Sequence, residues 1–293
     1  MVCLSESMTP VEESETRFAF GKNWASFLDQ FDAERLQHAT SSLKSLLQVE
    51  SLTGKRFLDI GSGSGLFSLA AVSMGAEVVS VDLDDDSVAC TRELRERAVA
   101  EDLAVAEQWQ VQQGSALDAE WLTSLGTFDV VYSWGVLHHT GQMTAAIEAT
   151  SSVVARGGQF AIAIYNDQGG GSRRWLKMKQ GYHRLPACLR PAYVVLVAGC
   201  YELKFALARL ARGRNPLPFA DWRAKKSDRG MNAWHDWVDW IGGLPFEVAK
   251  PEAIILPLRE KGFVLDNLTT VGSGWGCNEY VFRRLEESAK SLP

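Results

Sequence analysis

Residues 57–65, Phe57-Leu58-Asp59-Ile60-Gly61-Ser62-Gly63-Ser64-Gly65, place an acid near the end of an apolar strand and three alternate glycines directly after it. Lys55 to Ile60 reads as a buried strand and Leu66 to Val72 opens a helix. The glycines therefore occupy a strand-to-helix turn, where backbone must come close to a ligand. A nicotinamide-type loop carries glycine at its first, third and sixth places, whereas here the fifth place is Gly65 and the sixth is Leu66.

Outward from this loop, apolar strands alternate with amphipathic segments at regular spacing, which argues for a parallel α/β sheet. The strands are expected at 55–60, 76–82, 109–113, 128–133 and 159–166, with helices at Asp86 to Ala100 and Thr144 to Ala155. Arg156-Gly157-Gly158 is read as the stop of the latter helix. Near the C-terminus, Pro251 to Lys261 reads as a helix stopped by Gly262. The stretches FVLDNLTTV and NEYVFRR follow as strands around the turn-rich GSGWGC.

The acid-x-Gly-x-Gly-x-Gly pattern resembles that of class I S-adenosylmethionine (SAM) dependent methyltransferases. The resemblance implies a Rossmann-like α/β fold of seven strands with an antiparallel last pair, SAM as cofactor and S-adenosyl-L-homocysteine as product. Asp59, Gly61, Ser62, Gly63 and Gly65 would hold SAM, Asp59 either orienting the methionine amino group or bracing the loop. Asp82 closes the second strand, EVVSVD, where a carboxylate accepts both ribose hydroxyls and Leu83 offers adenine an apolar surface. The alternative for Asp82 is a helix cap, a role that Asp84, Asp85, Asp86 and Ser87 are better placed to fill. After the third strand, Ser115 stands where related enzymes carry an acid for the adenine amino group, beside Ala116, with Asp118 as a fallback partner.

The fourth strand and its exit, FDVVYSWGVLHHTG, match the methyltransferase segment that passes beside the methionine part of SAM, with Ser133 and Trp134 as contacts. His138 and His139 follow within a turn. A histidine there either takes a proton from an oxygen or nitrogen acceptor or only lines the pocket. Tyr165 and Asn166 end the fifth strand at the same crevice. RFAFGKNW at 17–24, RGMNAWHDWVDWIGGLPFEVA at 229–249 and GCNEYVFRR at 276–284 look like a bacterial subgroup that methylates small molecules. In that subgroup the N-terminal segment folds over SAM, which makes Asn23 and Trp24 cap residues. Arg229 and Trp234 are read as acceptor contacts and His235 and Asp236 as catalytic candidates, being polar residues amid apolar surface, with core packing as the alternative. For Trp237, Trp240 and Ile241 core packing is the preferred reading.

Gln168 to about Phe246 is an insertion where a minimal fold needs only a short connection, and is read as a helical lid. The expected organisation is an N-terminal tail with capping helices at 1–50, the SAM-binding domain at 51–167 and 247–293, and the basic insertion at 168–246. From Gly171 to Gly230 there are 14 Lys+Arg against 3 Asp+Glu, leaving 16 against 33 elsewhere. A basic insertion suits RNA phosphates, an anionic membrane, or charge balance with an acidic domain and an anionic small substrate. Within it, Ala192 to Tyr201 is a ten-residue apolar run, short of the roughly 20 residues a membrane span requires, and is read as part of a packed amphipathic helix in preference to an interfacial one.

The 293 residues, 46% of them apolar, support a large core. The five cysteines form no CxxC pair and no metal spacing, which fits reduced thiols in the cytoplasm and argues against a metal site. The polar, acidic N-terminus does not read as a secretion signal. The function these readings support is direct in-line methyl transfer from SAM to an oxygen, nitrogen or thioether sulfur of a small-molecule acceptor. An RNA methyltransferase and a SAM-binding protein without activity are the alternatives. The first lacks a recognisable RNA-binding module. A homodimer is left open.

Overall fold

The central parallel strands of this chain are largely apolar because both of their faces are covered. In the computed structural model, which describes residues 33–213, 215–217 and 233–286, Phe57, Val130 and Tyr132 point to one side of the sheet and Leu58, Ile60 and Val131 to the other. The strands are β1 (Arg56–Ile60), β2 (Glu77–Asp82), β3 (Trp109–Gln113), β4 (Phe128–Trp134), β5 (Val154–Tyr165), β6 (Phe263–Thr269) and β7 (Cys277–Arg284). The helices are α1 (Ala33–Leu47), α2 (Leu66–Ser73), α3 (Asp85–Ala100), α4 (Ala119–Ser124), α5 (Met143–Ser152), α6 (Gly170–Arg184), α7 (Arg190–Ala211), α8 (Ala233–Gly242) and α9 (Pro251–Glu260).

The seven strands form one sheet in the order β3-β2-β1-β4-β5-β7-β6. β1 pairs in parallel with β2 and β4, while β7 lies antiparallel to both β5 and β6. The order reverses direction between β1 and β4, so the crevice for a ligand opens beyond the carboxyl ends of these strands. On one face Leu43 of α1, Leu69 of α2 and Leu94 of α3 pack against Phe57 and Trp109. On the other, Leu122 of α4, Ile147 of α5 and Ile254 and Leu258 of α9 pack against Phe160 and Phe282.

One boundary differs from the sequence reading. Arg156-Gly157-Gly158 does not stop a helix: α5 ends at Ser152 and these residues already belong to β5. The register against β4 shifts here, from Phe128↔Val154 to Val130↔Gln159, and Gly157 takes a left-handed φ of 74°. A Cβ on Gly158 would stand 2.8 Å from the Asp129 carbonyl oxygen. The glycines thus let an irregular strand hug its neighbour, which in sequence looks the same as a helix stop.

The chain divides into two units, one of Phe20–Ser172 with Phe246–Pro293 and one of Met1–Ala19 with Arg173–Pro245. The first holds the sheet. In it the ends of the intervening segment meet: Asn166 and Ala249 form a parallel bridge, Ala249 donates its N–H to the Tyr165 carbonyl at 2.9 Å, and Asp167 donates to the Ala249 carbonyl at 3.1 Å. In the second unit α6, α7 and α8 pack through aromatic rings, Trp175 lying edge-on to Tyr201 and to Trp240. Lys179, only 1% exposed, donates from Nζ to the Trp240 carbonyl at 2.6 Å. Ile241 is buried and Trp237 stacks on Tyr201, the packing role expected of them.

Candidate cofactor and acceptor site

The glycine loop leaves β1 with Gly61, Gly63 and Gly65 at φ of 77°, 55° and 81°, a region that favours glycine. A Cβ on Gly61 would lie 2.3 Å from Val136 Cγ2, so the chain after β4 closes directly on the loop. Gly65 is the N-cap of α2, whose first-turn N–H groups therefore open onto the same turn. Gly61 and Ser62 donate to the Val81 carbonyl at 2.7 and 3.1 Å, and Thr91 Oγ1 donates to the Gly63 carbonyl at 3.1 Å.

Asp82 is joined to this loop. Its Oδ2 accepts the Gly63 N–H at 3.0 Å and its Oδ1 accepts the Asp84 N–H at 3.0 Å. Burial raises its pKa above the usual carboxylate range, against these two hydrogen bonds. The helix-capping role falls instead to Asp84, which accepts from Ser87 N at 3.0 Å at the start of α3. Leu83 is exposed beside it at 40%.

Asp59 lies deeper. It is 2% exposed, and burial pushes its pKa to about 7, opposed by the Ser68 hydroxyl that donates to Oδ2 at 2.6 Å and assisted by the charge of Asp82. Ser80 donates to Ser68 at 2.6 Å and Trp109 Nε1 to Ser80 at 2.7 Å. Across from Asp59 in register stands Tyr132, whose phenol is held well above its ordinary pKa by burial and by the charges of Asp59 and Glu279. Its hydroxyl has no hydrogen-bond partner among the described residues. Two residues further on, Trp134 Nε1 donates to Glu279 Oε1 at 2.8 Å. Asp59, Tyr132, Trp134 and Glu279 thus bring two carboxylates and two aromatic side chains to one part of the sheet.

Several expected contacts are spent on bracing. Ser133 is fully buried and donates its hydroxyl to the Ile60 carbonyl at 2.9 Å, so only its backbone is left for a ligand. Ser115 Oγ accepts from Leu117 N at 3.1 Å in the turn that carries Ala116, and Asp118 caps α4 by accepting from Trp121 N at 3.0 Å. Asn166 donates to the Gly272 carbonyl at 2.8 Å and accepts from Asn278 Nδ2 at 3.2 Å, tying β5 to the loop between β6 and β7.

The histidines occupy a short 3-10 turn after β4. His138 is completely buried, its ring 3.9 Å from that of Tyr165, while His139 is half-buried with its ring 4.5 Å from that of His138. Tyr165 also meets Phe246 at 5.5 Å, and Glu247 donates its N–H to the His138 carbonyl at 3.0 Å. The Glu247 carboxylate in turn accepts from Met143 N at 2.9 Å and is raised in pKa by burial. Trp234, His235 and Asp236 lie on the first turns of α8, where side chains are not described, and Asn23, Trp24 and Arg229 lie outside the described residues. Among the described residues no group of His, Cys, Asp and Glu is arranged to hold a metal ion.

The sequence reading missed Glu247, Asn278 and Glu279. Each acts on a partner more than 100 residues away, except for the contact of Asn278 with its own loop, so no local spacing reveals them. The cues were the stretches themselves: NEYVFRR, a strand that opens on two polar residues, and the 229–249 stretch, which contains Glu247.

Residues 58–160 match the family model described as a methyltransferase domain. Over 122 residues the chain is 32% identical to a ubiquinone biosynthesis O-methyltransferase of Paraburkholderia xenovorans (strain LB400), covering 39% of this chain and 46% of that protein. A protein of the same name from Xanthomonas euvesicatoria pv. vesicatoria (strain 85-10) is 30% identical over 132 residues, 45% of this chain and 49% of that protein. The chain spans about half the length of these curated relatives. Among solved structures, the magnesium protoporphyrin IX methyltransferase of Synechocystis PCC 6803 with bound SAM is similar at a TM-score of 0.52 and 13% identity, covering 96% of this chain and 100% of that one. PKMT2 from Rickettsia typhi in complex with AdoHcy is similar at 0.54 and 13% identity, covering 89% and 54%. At such identity the likeness speaks to the fold.

Proposed function

We propose that this chain, which carries a class I methyltransferase domain over residues 58–160, binds SAM at its glycine loop and methylates an oxygen of a small-molecule acceptor. The observation that carries the reading is the clasp between Asp82 and Gly63, which fixes a strand-end carboxylate beside three left-handed glycines. Gly61 lacks the Cβ that would meet Val136, so the chain after β4 can close on the loop, and the Asp82 carboxylate is a hydrogen-bond acceptor of the kind that takes paired ribose hydroxyls. The choice of oxygen follows the curated relatives that match the core, which are O-methyltransferases by name.

When bound, SAM supplies an electrophilic methyl group on a sulfonium sulfur. The chain's part is alignment and exclusion of water. Gly61, Gly63 and Asp82 would hold the donor, Asp59 and the Trp134–Glu279 pair would shape the sheet end against it, and Tyr165 would wall the crevice. Alignment of this kind is worth roughly 7 kcal/mol or more in favourable cases. A hydroxyl acceptor has to lose a proton as its oxygen takes the methyl, and in this reading His139, half-buried beside the buried His138, is the group that receives it. In this proposal Asn23 and Trp24 are cap residues, and Arg229, Trp234, His235 and Asp236 are candidates for contact with the acceptor.

The test is incubation of the purified protein with methyl-labelled SAM and fractionated cell extract, followed by separation of small molecules, RNA and protein. Label in small molecules, released as a methyl ether or ester on mass spectrometry, supports the reading. Label confined to RNA or protein, or tight SAM binding with no label in any fraction, overturns it.

A further inference from the structure

Helix α7 has two unlike sides. Val194 and Val197 are buried, and Tyr201 packs on Trp237 of α8 and Trp175 of α6. On the opposite side Val195, Leu196, Leu203, Leu207 and Leu210 stand between 58 and 65% exposed. Leu196, Leu203, Leu207 and Leu210 recur at helical spacing and form one stripe about 21 Å long. Gly199 lies between them, and a Cβ built there meets nothing within 4 Å. So long an aliphatic stripe in water marks an interaction surface.

The charge around the stripe says what fits it. Lys204 is exposed beside it, Arg212 is exposed at the end of the helix, and the hairpin partner α6 exposes Arg173, Lys177 and Arg184 at helical spacing, with Arg174 alongside. From Gly170 to Arg212 the only acid is Glu202, which is half-buried and faces Arg209 at 3.9 Å. Cations and aliphatic side chains therefore share this hairpin with no exposed anion. A second copy of the same face would oppose like charges. Single-stranded nucleic acid is gripped by exposed aromatic rings, whereas this stripe is of leucine and valine. Ten apolar residues ahead of Glu202 do not make a span, and among the described residues no helix is long and apolar enough to cross a membrane.

We propose that the α6–α7 hairpin lies in the plane of a bilayer containing anionic phospholipid. The leucine stripe of α7 enters the boundary between headgroups and acyl chains, and Arg173, Lys177, Arg184 and Lys204 meet lipid phosphates. Aliphatic burial supplies the hold and the cations supply the choice of lipid, the two components of interfacial helix binding.

The full chain is mixed with vesicles of phosphatidylcholine alone, or of phosphatidylcholine with phosphatidylglycerol, and sedimented at low and high salt. The expected result is co-sedimentation with the mixed vesicles only, weakening as salt rises. Combined Leu196→Gln, Leu203→Gln and Leu210→Gln lowers vesicle affinity at least about tenfold, with circular dichroism and SAM affinity unchanged. Combined Arg173→Gln, Lys177→Gln and Arg184→Gln, which leaves the apolar packing untouched, removes most of the salt dependence. Failure to sediment with the mixed vesicles overturns the proposal. So does a wild-type dimer that the leucine variant converts to monomer without loss of vesicle binding, because the stripe would then belong to a second copy.

Discussion

Asp59 accepts the Ser68 hydroxyl proton at 2.6 Å, and this bond is the inner end of a buried chain that runs through Ser80 to the indole N–H of Trp109. Burial outweighs the bond, so Asp59 titrates near 7 in the folded protein, against 3.8 as its reference value. Between about pH 4 and pH 7 the folded state holds a proton that the unfolded chain has released, and stability falls as pH rises through that window. Urea unfolding of the SAM-free protein is expected to show this slope. Asp59→Asn should flatten it and gain up to about 4 kcal/mol above pH 7. An unchanged slope in the variant would assign the pH dependence to other groups.

Asp82→Ala removes the carboxylate that holds both Gly63 and Asp84. SAM affinity by calorimetry should fall on the order of 100-fold, since charge-assisted hydrogen bonds are worth about 1.5–3 kcal/mol each. An affinity within threefold of wild type would refute a ribose contact by Asp82.

Gly61→Ala places a Cβ 2.3 Å from Val136 Cγ2 at a φ of 77°. The strain and the overlap together should cost about 2–4 kcal/mol in denaturant unfolding. Val136→Ala in the same chain should restore part of that loss, because the two side chains compete for one space.

Asn278 is 1% exposed, takes the Val271 N–H on its Oδ1 at 3.0 Å and donates to Asn166. Asn278→Ala strands these groups, at a cost of about 1–3 kcal/mol. Amide exchange should speed up at Val271 and across 271–276 while the amides of β1 and β2 stay protected. Uniform acceleration across the sheet would show that Asn278 supports the whole unit and not this loop.

The sheet was legible because its central strands are apolar and its strands are punctuated by turns; 109–113 matched β3 although that strand is mostly polar, and the antiparallel last pair stood where the family resemblance implied it. The glycine loop was legible because positive φ selects glycine wherever it occurs. At 154–158 the same preference misled, since glycine serves an irregular strand as well as a helix stop. The acceptor side was least legible. Trp134 and Glu279 are 145 residues apart, and Met143 and Glu247 are 104 apart, so only the folded sheet brings them together. Charge revealed the basic insertion, but not that α7 keeps its leucines outward, because burial on one side only is a property of neighbours and not of the helix.

The bridge between Asn166 and Ala249 makes the sheet indifferent to what is strung between them. With both ends pinned side by side, lengthening the intervening chain adds little closure entropy and disturbs no strand register. The position works as a socket: what is strung between these two residues can change in length without altering the sheet that carries the glycine loop.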